Sequence, residues 1–159
     1  MFVRGQGSHL IDEHGQQYLD LLSGIGVASL GHAHSELADI IGKQAHELIH
    51  TSNLYFHPLQ AEVASHLSRI SGLERTFFCN SGTEAVEACL KFARRYWYSQ
   101  GSTNRTEIVA FEGSFHGRTF GSLSVTAGEP YRVPFSPLLP GIRFVSPMDT
   151  DQIKEAITD

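Results

Sequence analysis

The chain has few of the features that mark secreted, membrane or nucleic-acid-binding proteins. It has only two cysteines in 159 residues, Cys79 and Cys89, and their spacing fits neither a disulfide framework nor a zinc knuckle. With no apolar leader after Met1, we expect a reduced, cytoplasmic protein. No apolar stretch approaches the length of a membrane span, and a net charge of −5 without a basic run argues against a nucleic-acid partner.

The most informative segment joins a short apolar strand to a long helix. Aromatic and β-branched residues predict a strand over 75–79, and a helical repeat of apolar residues predicts a helix over about 83–98. Ser81, Gly82 and Thr83 lie between the two elements. Because the first N–H groups of a helix lack intrahelical partners and carry partial positive charge, this junction is a candidate phosphate site.

A second interpretation of the same junction is structural. Ser81 and Glu84 have the spacing of a capping box, in which the two side chains satisfy backbone N–H groups at the helix start. The segment also lacks the terminal lysine of a nucleotide-binding loop. From these residues alone, a phosphate site and an ordinary helix cap both remain open.

The next loop adds groups that recognise organic ligands. A strand over 106–111 follows the helix and predicts a βαβ unit with parallel strands. The loop after it contains Phe115, His116 and Arg118. Loops at the carboxyl ends of parallel strands line the ligand crevice of such sheets. An aromatic ring can stack on a planar ligand, and a guanidinium can clamp a carboxylate.

The rest of the chain alternates short strands and helices. A hairpin is expected over 9–12 and 17–21. Helices are expected over 35–50, with Ser35 as its cap, and over 59–71. A short helix after Arg118 and a strand over 142–145 follow, and Asp149 or Thr150 is expected to cap a last helix.

The whole chain resembles the class III aminotransferases, which depend on pyridoxal phosphate, and within them most closely the acetylornithine branch. The resemblance rests on several motifs in order: Tyr18-Leu19-Asp20, Gly24-Ile25-Gly26-Val27, Leu30-Gly31-His32-Ala33-His34, His50-Thr51-Ser52-Asn53-Leu54-Tyr55, Phe78-Cys79-Asn80-Ser81-Gly82-Thr83-Glu84-Ala85, Ser114-Phe115-His116-Gly117-Arg118-Thr119 and Pro137-Leu138-Leu139-Pro140-Gly141. It implies an α/β, fold-type I transferase with a mainly parallel sheet. Residues 1–50 would belong to the small N-terminal domain and its connection, and residues 51–159 to the first part of the large cofactor domain.

The resemblance also implies a role for each site residue. It assigns binding of pyridoxal 5′-phosphate to Ser81, Gly82, Thr83, Phe115 and His116. Phe115 would stack on the pyridine ring, and His116 could support the loop rather than touch the cofactor. Arg118 would hold the substrate carboxylate. Ile25 would contact the substrate side chain, since ornithine aminotransferases carry a tyrosine there and an aliphatic residue suits an acylated ornithine.

The implied reaction is transfer of an amino group from N-acetylornithine to 2-oxoglutarate in arginine biosynthesis, by a cytoplasmic homodimer. Aminotransferases for 4-aminobutyrate, ornithine or succinylornithine are the alternatives. None of the three lysines, Lys43, Lys91 and Lys154, matches the family's catalytic position. The Schiff-base lysine is therefore expected beyond Asp159, and the chain is expected to be a fragment that is inactive alone.

Two functions of other classes compete with this interpretation. His46-Glu47-Leu48-Ile49-His50 matches the zinc-protease pattern, in which two histidines four apart on a helix share a metal. No residue at the expected spacing supplies a third ligand, and His32 and His34 lie in a loop, so no metal site is predicted. The other competing function is a non-catalytic phosphate-binding module.

Overall fold

A three-stranded antiparallel sheet begins the chain in the computed structural model, which describes residues 1–157. Its strands are β1 (Phe2–Gln6), β2 (His9–Asp12) and β3 (Gln17–Leu19), in the order β1-β2-β3. The predicted hairpin is confirmed, whereas β1 was not predicted. Asp12 closes the turn because its Oδ1 accepts hydrogen bonds from His14 N and Gln16 N, each at 2.9 Å.

Three helical segments follow this sheet. They are α1 (Ser23–Gly26), a single distorted turn, α2 (Ser35–Glu47) and α3 (Pro58–Ser71). The predicted cap of α2 was wrong by one residue, because His34 Nδ1 rather than Ser35 accepts from Leu37 N, at 3.3 Å. The predicted end of α2 was also wrong, since the backbone turns extended at Leu48. Helix α3 ends at Ser71 and is capped by Gly72, whose φ of +72° is left-handed.

The second half of the chain contains the parallel strands. Its elements are α4 (Gly82–Ser99), β4 (Ile108–Phe111), α5 (Phe120–Ser124), α6 (Glu129–Arg132), a 3₁₀ turn (Val133–Phe135), β5 (Ile142–Val145) and α7 (Thr150–Ala156). Strands β4 and β5 pair in parallel, with Ile108 opposite Ile142. Asp149, one of the two predicted cap residues, caps α7 and accepts from Asp151 N and Gln152 N.

One strand prediction was wrong. Residues 75–79 form no strand, so the predicted βαβ unit of 75–79, α4 and β4 is absent from the part of the chain that the structure describes. A strand requires a hydrogen-bonded neighbour, and no described strand pairs with 75–79. Phe77 is 62% exposed.

The chain divides into two compact units, Met1–Glu74 and the segment from Arg75 onward. In the second unit, Leu90 of α4 packs with Ala110 of β4 and Val125 to form the core. This packing fixes the start of α4 relative to the loop that leaves β4. Within residues 1–157, no helix has both the length and the apolar character needed to cross a membrane.

Candidate functional site

The start of α4 carries the capping box that was one of the two interpretations of this junction. Ser81 Oγ accepts from Glu84 N at 3.3 Å and donates to Glu84 Oε2 at 2.9 Å. The same carboxylate oxygen accepts from Asn80 N at 2.9 Å. These hydrogen bonds, the one from Ser81 foremost, lower the pKa of Glu84. The cap therefore holds the Glu84 carboxylate beside the helix start and pairs the third N–H of the helix, that of Glu84, with Ser81.

The cap leaves room for an anion at the same helix end. The N–H groups of Gly82 and Thr83 have no acceptor among residues 1–157. Open space lies where a side chain on Gly82 would begin. Two unused N–H donors at the positive end of a helix fit one phosphate. Capping and anion binding, which the sequence left as alternatives, are compatible here.

The loop that follows β4 is anchored from behind by backbone and hydroxyl groups. Ser114 Oγ donates to Phe111 O at 2.6 Å, and Ala127 N donates to Ser114 O at 3.0 Å. His116 N donates to Thr126 Oγ1 at 2.9 Å, and Thr126 is only 1% exposed. Because these contacts hold the backbone of the loop, they also fix the Cα positions of the residues between them.

Phe115 and Arg118 are both exposed in this loop. Phe115 is 65% exposed, so one face of its ring is available to a planar ligand. The guanidinium carbon of Arg118 lies 5.6 Å from the centroid of Phe115 and 4.1 Å from that of Tyr131. No carboxylate pairs with Arg118 in the described part of the chain. The guanidinium of Arg118 is therefore free to bind a carboxylate. Its contact with Tyr131 was not predicted from the sequence.

His116 is less exposed than Phe115 in this loop. It lines an apolar groove together with Leu90 and Val125. Among the candidates of this loop it is therefore the one whose surroundings favour support of the backbone.

A hydroxyl cluster brings the helix start and the loop together. Thr83 Oγ1 lies 2.9 Å from Thr119 Oγ1 and 2.6 Å from Ser122 Oγ. Gly117, with φ of +129°, passes so close to Thr83 Oγ1 that any side chain there would overlap it. Thr119 directly follows Arg118. The hydroxyl contact between Thr83 and Thr119 therefore joins the candidate phosphate site on α4 to the residue next to Arg118.

Ile25 lies in the first unit, in an unusual turn. Ser23, Gly24, Ile25 and Gly26 all have positive φ, and the value for Ile25 is +62°. Left-handed backbone is costly for a β-branched residue and tends to occur at functional positions. Asp20 holds the turn, since its Oδ1 accepts from Leu22 N at 3.0 Å and Ser23 N at 2.8 Å. Ile25 itself is 84% exposed.

The structure contradicts the zinc-protease alternative. Helix α2 ends at Glu47, so His46 and His50 do not share a helix face. His32 is also otherwise engaged, since its Nε2 lies 2.7 Å from Asp20 Oδ2. No group of three potential metal ligands occurs among the described residues.

Comparison with known proteins identifies the family. The profile described as aminotransferase class-III matches residues 1–158. The chain belongs to the class III aminotransferases. It is 46% identical, over 99% of its length, to an acetylornithine aminotransferase of Aquifex aeolicus (strain VF5), of which it covers 42%.

Solved structures of the family share the fold. An N-acetylornithine aminotransferase from Stenotrophomonas maltophilia K279a matches with a TM-score of 0.78 and 32% identity, over 99% of this chain and 38% of that one. A PLP-bound amine transaminase from an uncultivated Pseudomonas species matches with a TM-score of 0.85 and 29% identity, over 92% of this chain and 34% of that one.

These comparisons confirm the predicted family and the α/β fold class of fold-type I. The members of the family are enzymes that depend on pyridoxal phosphate, which was the predicted cofactor. The chain spans about two fifths of the length of the curated relatives it matches.

Proposed function

We propose that this chain forms part of the active site of a transaminase that moves an amino group from N-acetylornithine to 2-oxoglutarate. The observation that carries the proposal is the open start of α4, joined through Thr83 and Thr119 to the exposed Phe115 and Arg118. Its donors suit a phosphate, its ring suits a pyridine and its guanidinium suits a carboxylate.

The phosphate of pyridoxal 5′-phosphate would bind at Ser81, Gly82 and Thr83. The unused N–H groups of Gly82 and Thr83 would donate to it. Because the Thr83 hydroxyl already lies within hydrogen-bond distance of two other hydroxyls, its backbone N–H is the better donor. Ser81 would keep the helix start in place through its bonds with Glu84.

The second loop would hold the organic parts of the ligands. Phe115 would cover one face of the pyridine ring, and His116 would support the loop from its position beside Leu90. Arg118 would bind the α-carboxylate of the amino donor and then that of 2-oxoglutarate. Because a carboxylate accepts two parallel N–H bonds from a guanidinium, the contact orients the α-carbon as well as binding it.

Pyridoxal phosphate, when bound, supplies an electron sink for the charge that develops on the α-carbon. Removing the proton from that carbon and returning it requires a lysine as the base, and none of this chain's three lysines is suited to the role. Lys43 lies near Glu47 at 4.0 Å, Lys154 near Asp151 at 3.3 Å, and Lys91 lies two turns along α4 from the phosphate donors. The catalytic lysine would come from elsewhere in a longer, cytoplasmic, homodimeric polypeptide.

Relatives and one side chain support the choice of donor. The relatives include acetylornithine aminotransferases that are 41% to 46% identical to this chain. Ile25 is an exposed apolar residue and would suit an acylated ornithine side chain. The activity would belong to arginine biosynthesis. Ornithine, 4-aminobutyrate and succinylornithine are the competing donors.

The test is formation of glutamate from 2-oxoglutarate by the complete polypeptide, with each of the four donors in turn. We expect the highest kcat/KM with N-acetylornithine. Arg118→Lys should lower it about 10- to 100-fold, since a hydrogen bond to a charged group is worth about 1.5–3 kcal/mol. We expect the 159-residue chain alone to give no turnover. Phosphate binding without transamination by the complete polypeptide would favour a non-catalytic module.

A further inference from the structure

The carboxylate of Glu87 makes the densest set of long-range hydrogen bonds to the loop region. Glu87 lies one turn beyond Thr83 on α4, and its Oε1 accepts from three groups at the start of α5. These are Thr119 Oγ1 at 2.5 Å, Gly121 N at 2.8 Å and Ser122 N at 3.1 Å. The function proposed above gives Glu87 no task.

Two glycines make this approach possible. A side chain on Gly121 would overlap the Glu87 carboxylate, and one on Gly117 would overlap the Thr83 hydroxyl. Gly121 lies inside α5, where glycine is a weak helix former. The glycine is therefore explained by the contact with Glu87 and not by the conformation of the helix.

The contacts form one continuous network across the candidate site. Thr83 Oγ1 and Glu87 Oε1 both lie on α4, and both contact Thr119 Oγ1, the first at 2.9 Å. Ser122 closes the network through its hydroxyl and its N–H. Thr119 directly follows Arg118, so the backbone that carries the guanidinium is held by two side chains of α4.

We propose that Glu87 is a positioning residue that fixes Arg118 relative to the start of α4. It thereby sets the separation between the phosphate end and the carboxylate end of the bound ligands. The inference rests on the proposed function, because it needs Arg118 to bind a carboxylate.

The charge of Glu87 is part of this role. The hydrogen bond from Thr119, followed by those from Ser122 and Gly121, lowers its pKa, so the side chain stays a carboxylate at neutral pH. Hydrogen bonds to an ionised acceptor are stronger than those to an amide oxygen. Glutamine at this position would keep the shape but hold Thr119 and α5 less firmly.

The test uses the complete polypeptide with its cofactor, and glutarate as a dicarboxylate probe that cannot react. Calorimetry gives the dissociation constant of glutarate, and kinetics give KM and kcat separately. We expect Glu87→Gln and Thr119→Val to weaken glutarate binding and raise KM about tenfold each, because small displacements of a positioning group are costly. Thr119→Ser keeps the hydroxyl and should retain most of the affinity.

Glu107→Gln is the matched control, since it removes the same charge from an exposed position outside the network. Unchanged glutarate binding in folded Glu87→Gln and Thr119→Val would overturn the inference, as would an equal loss in Glu107→Gln. If Glu87→Gln does not fold, Thr119→Val decides. Absence of transaminase activity in the unsubstituted protein would instead overturn the proposed function.

Discussion

Gly117→Ala should be among the most damaging small substitutions in the second unit. At φ of +129° an alanine is strained, at a cost on the order of 1–3 kcal/mol. The new methyl group would also overlap Thr83 Oγ1 and lie 2.7 Å from Ser122 Oγ, which separates the two hydroxyls. Losing one such hydrogen bond costs about 0.5–1.5 kcal/mol. The expected loss of stability is therefore about 1.5–4.5 kcal/mol.

Gly113→Ala is the internal comparison for this prediction. Gly113 lies in the same loop with φ of +74°, but open space surrounds the position of its missing side chain. Its substitution should cost only the backbone strain, about 1–2 kcal/mol. Urea unfolding followed by circular dichroism gives both values from the transition midpoints. Equal losses for the two variants would refute the idea that Gly117 is needed for the contact between Thr83 and Ser122.

Three further predictions concern charge, packing and the turn at Ile25. Hydrogen bonds lower the folded-state pKa of Glu87, so its carboxylate stabilises the fold at any pH above its unfolded-state pKa of about 4.3, and this contribution is lost as the pH falls further. At pH values below about 4.3 the urea midpoint should therefore decrease, and it should decrease less in Glu87→Gln. Leu90→Ala should destabilise the chain by about 2–3 kcal/mol, the lower part of the usual range because an open groove adjoins Leu90; an unchanged midpoint would contradict the assigned core. Asp20→Ala removes the acceptor for Leu22 N and Ser23 N, and should change the ratio of kcat/KM values for N-acetylornithine and ornithine in the complete polypeptide; an unchanged ratio would separate the turn from donor choice.

Features set by neighbouring residues could be predicted from the sequence. The cap of α4 followed from the spacing of Ser81 and Glu84, and the cap of α7 from Asp149 ahead of an apolar repeat. The candidate site could be located for the same reason, because a helix start and an adjoining loop are both visible as local patterns. The hydroxyl contact between Thr83 and Thr119 then showed that the two patterns meet.

Features that depend on distant residues could not be predicted. Residues 75–79 have strand-forming side chains, but a strand forms only with a hydrogen-bonded neighbour, and none of the described strands pairs with this segment. Glu87 looks like an ordinary helix residue, and its partners at 119–122 are more than thirty residues away. The left-handed turn at Ile25 contradicts the local preference of isoleucine, so no propensity could reveal it.

The most direct test of the proposed site is a titration of the complete, cofactor-loaded polypeptide with N-acetylornithine, followed through the absorbance of pyridoxal phosphate. If Arg118 binds the carboxylate beside the cofactor, the absorbance of the unsubstituted protein should change at low donor concentration. Arg118→Lys should need about tenfold more donor, while binding the cofactor equally well. A cofactor spectrum that does not respond to the donor, or responds identically in Arg118→Lys, would contradict the proposed site.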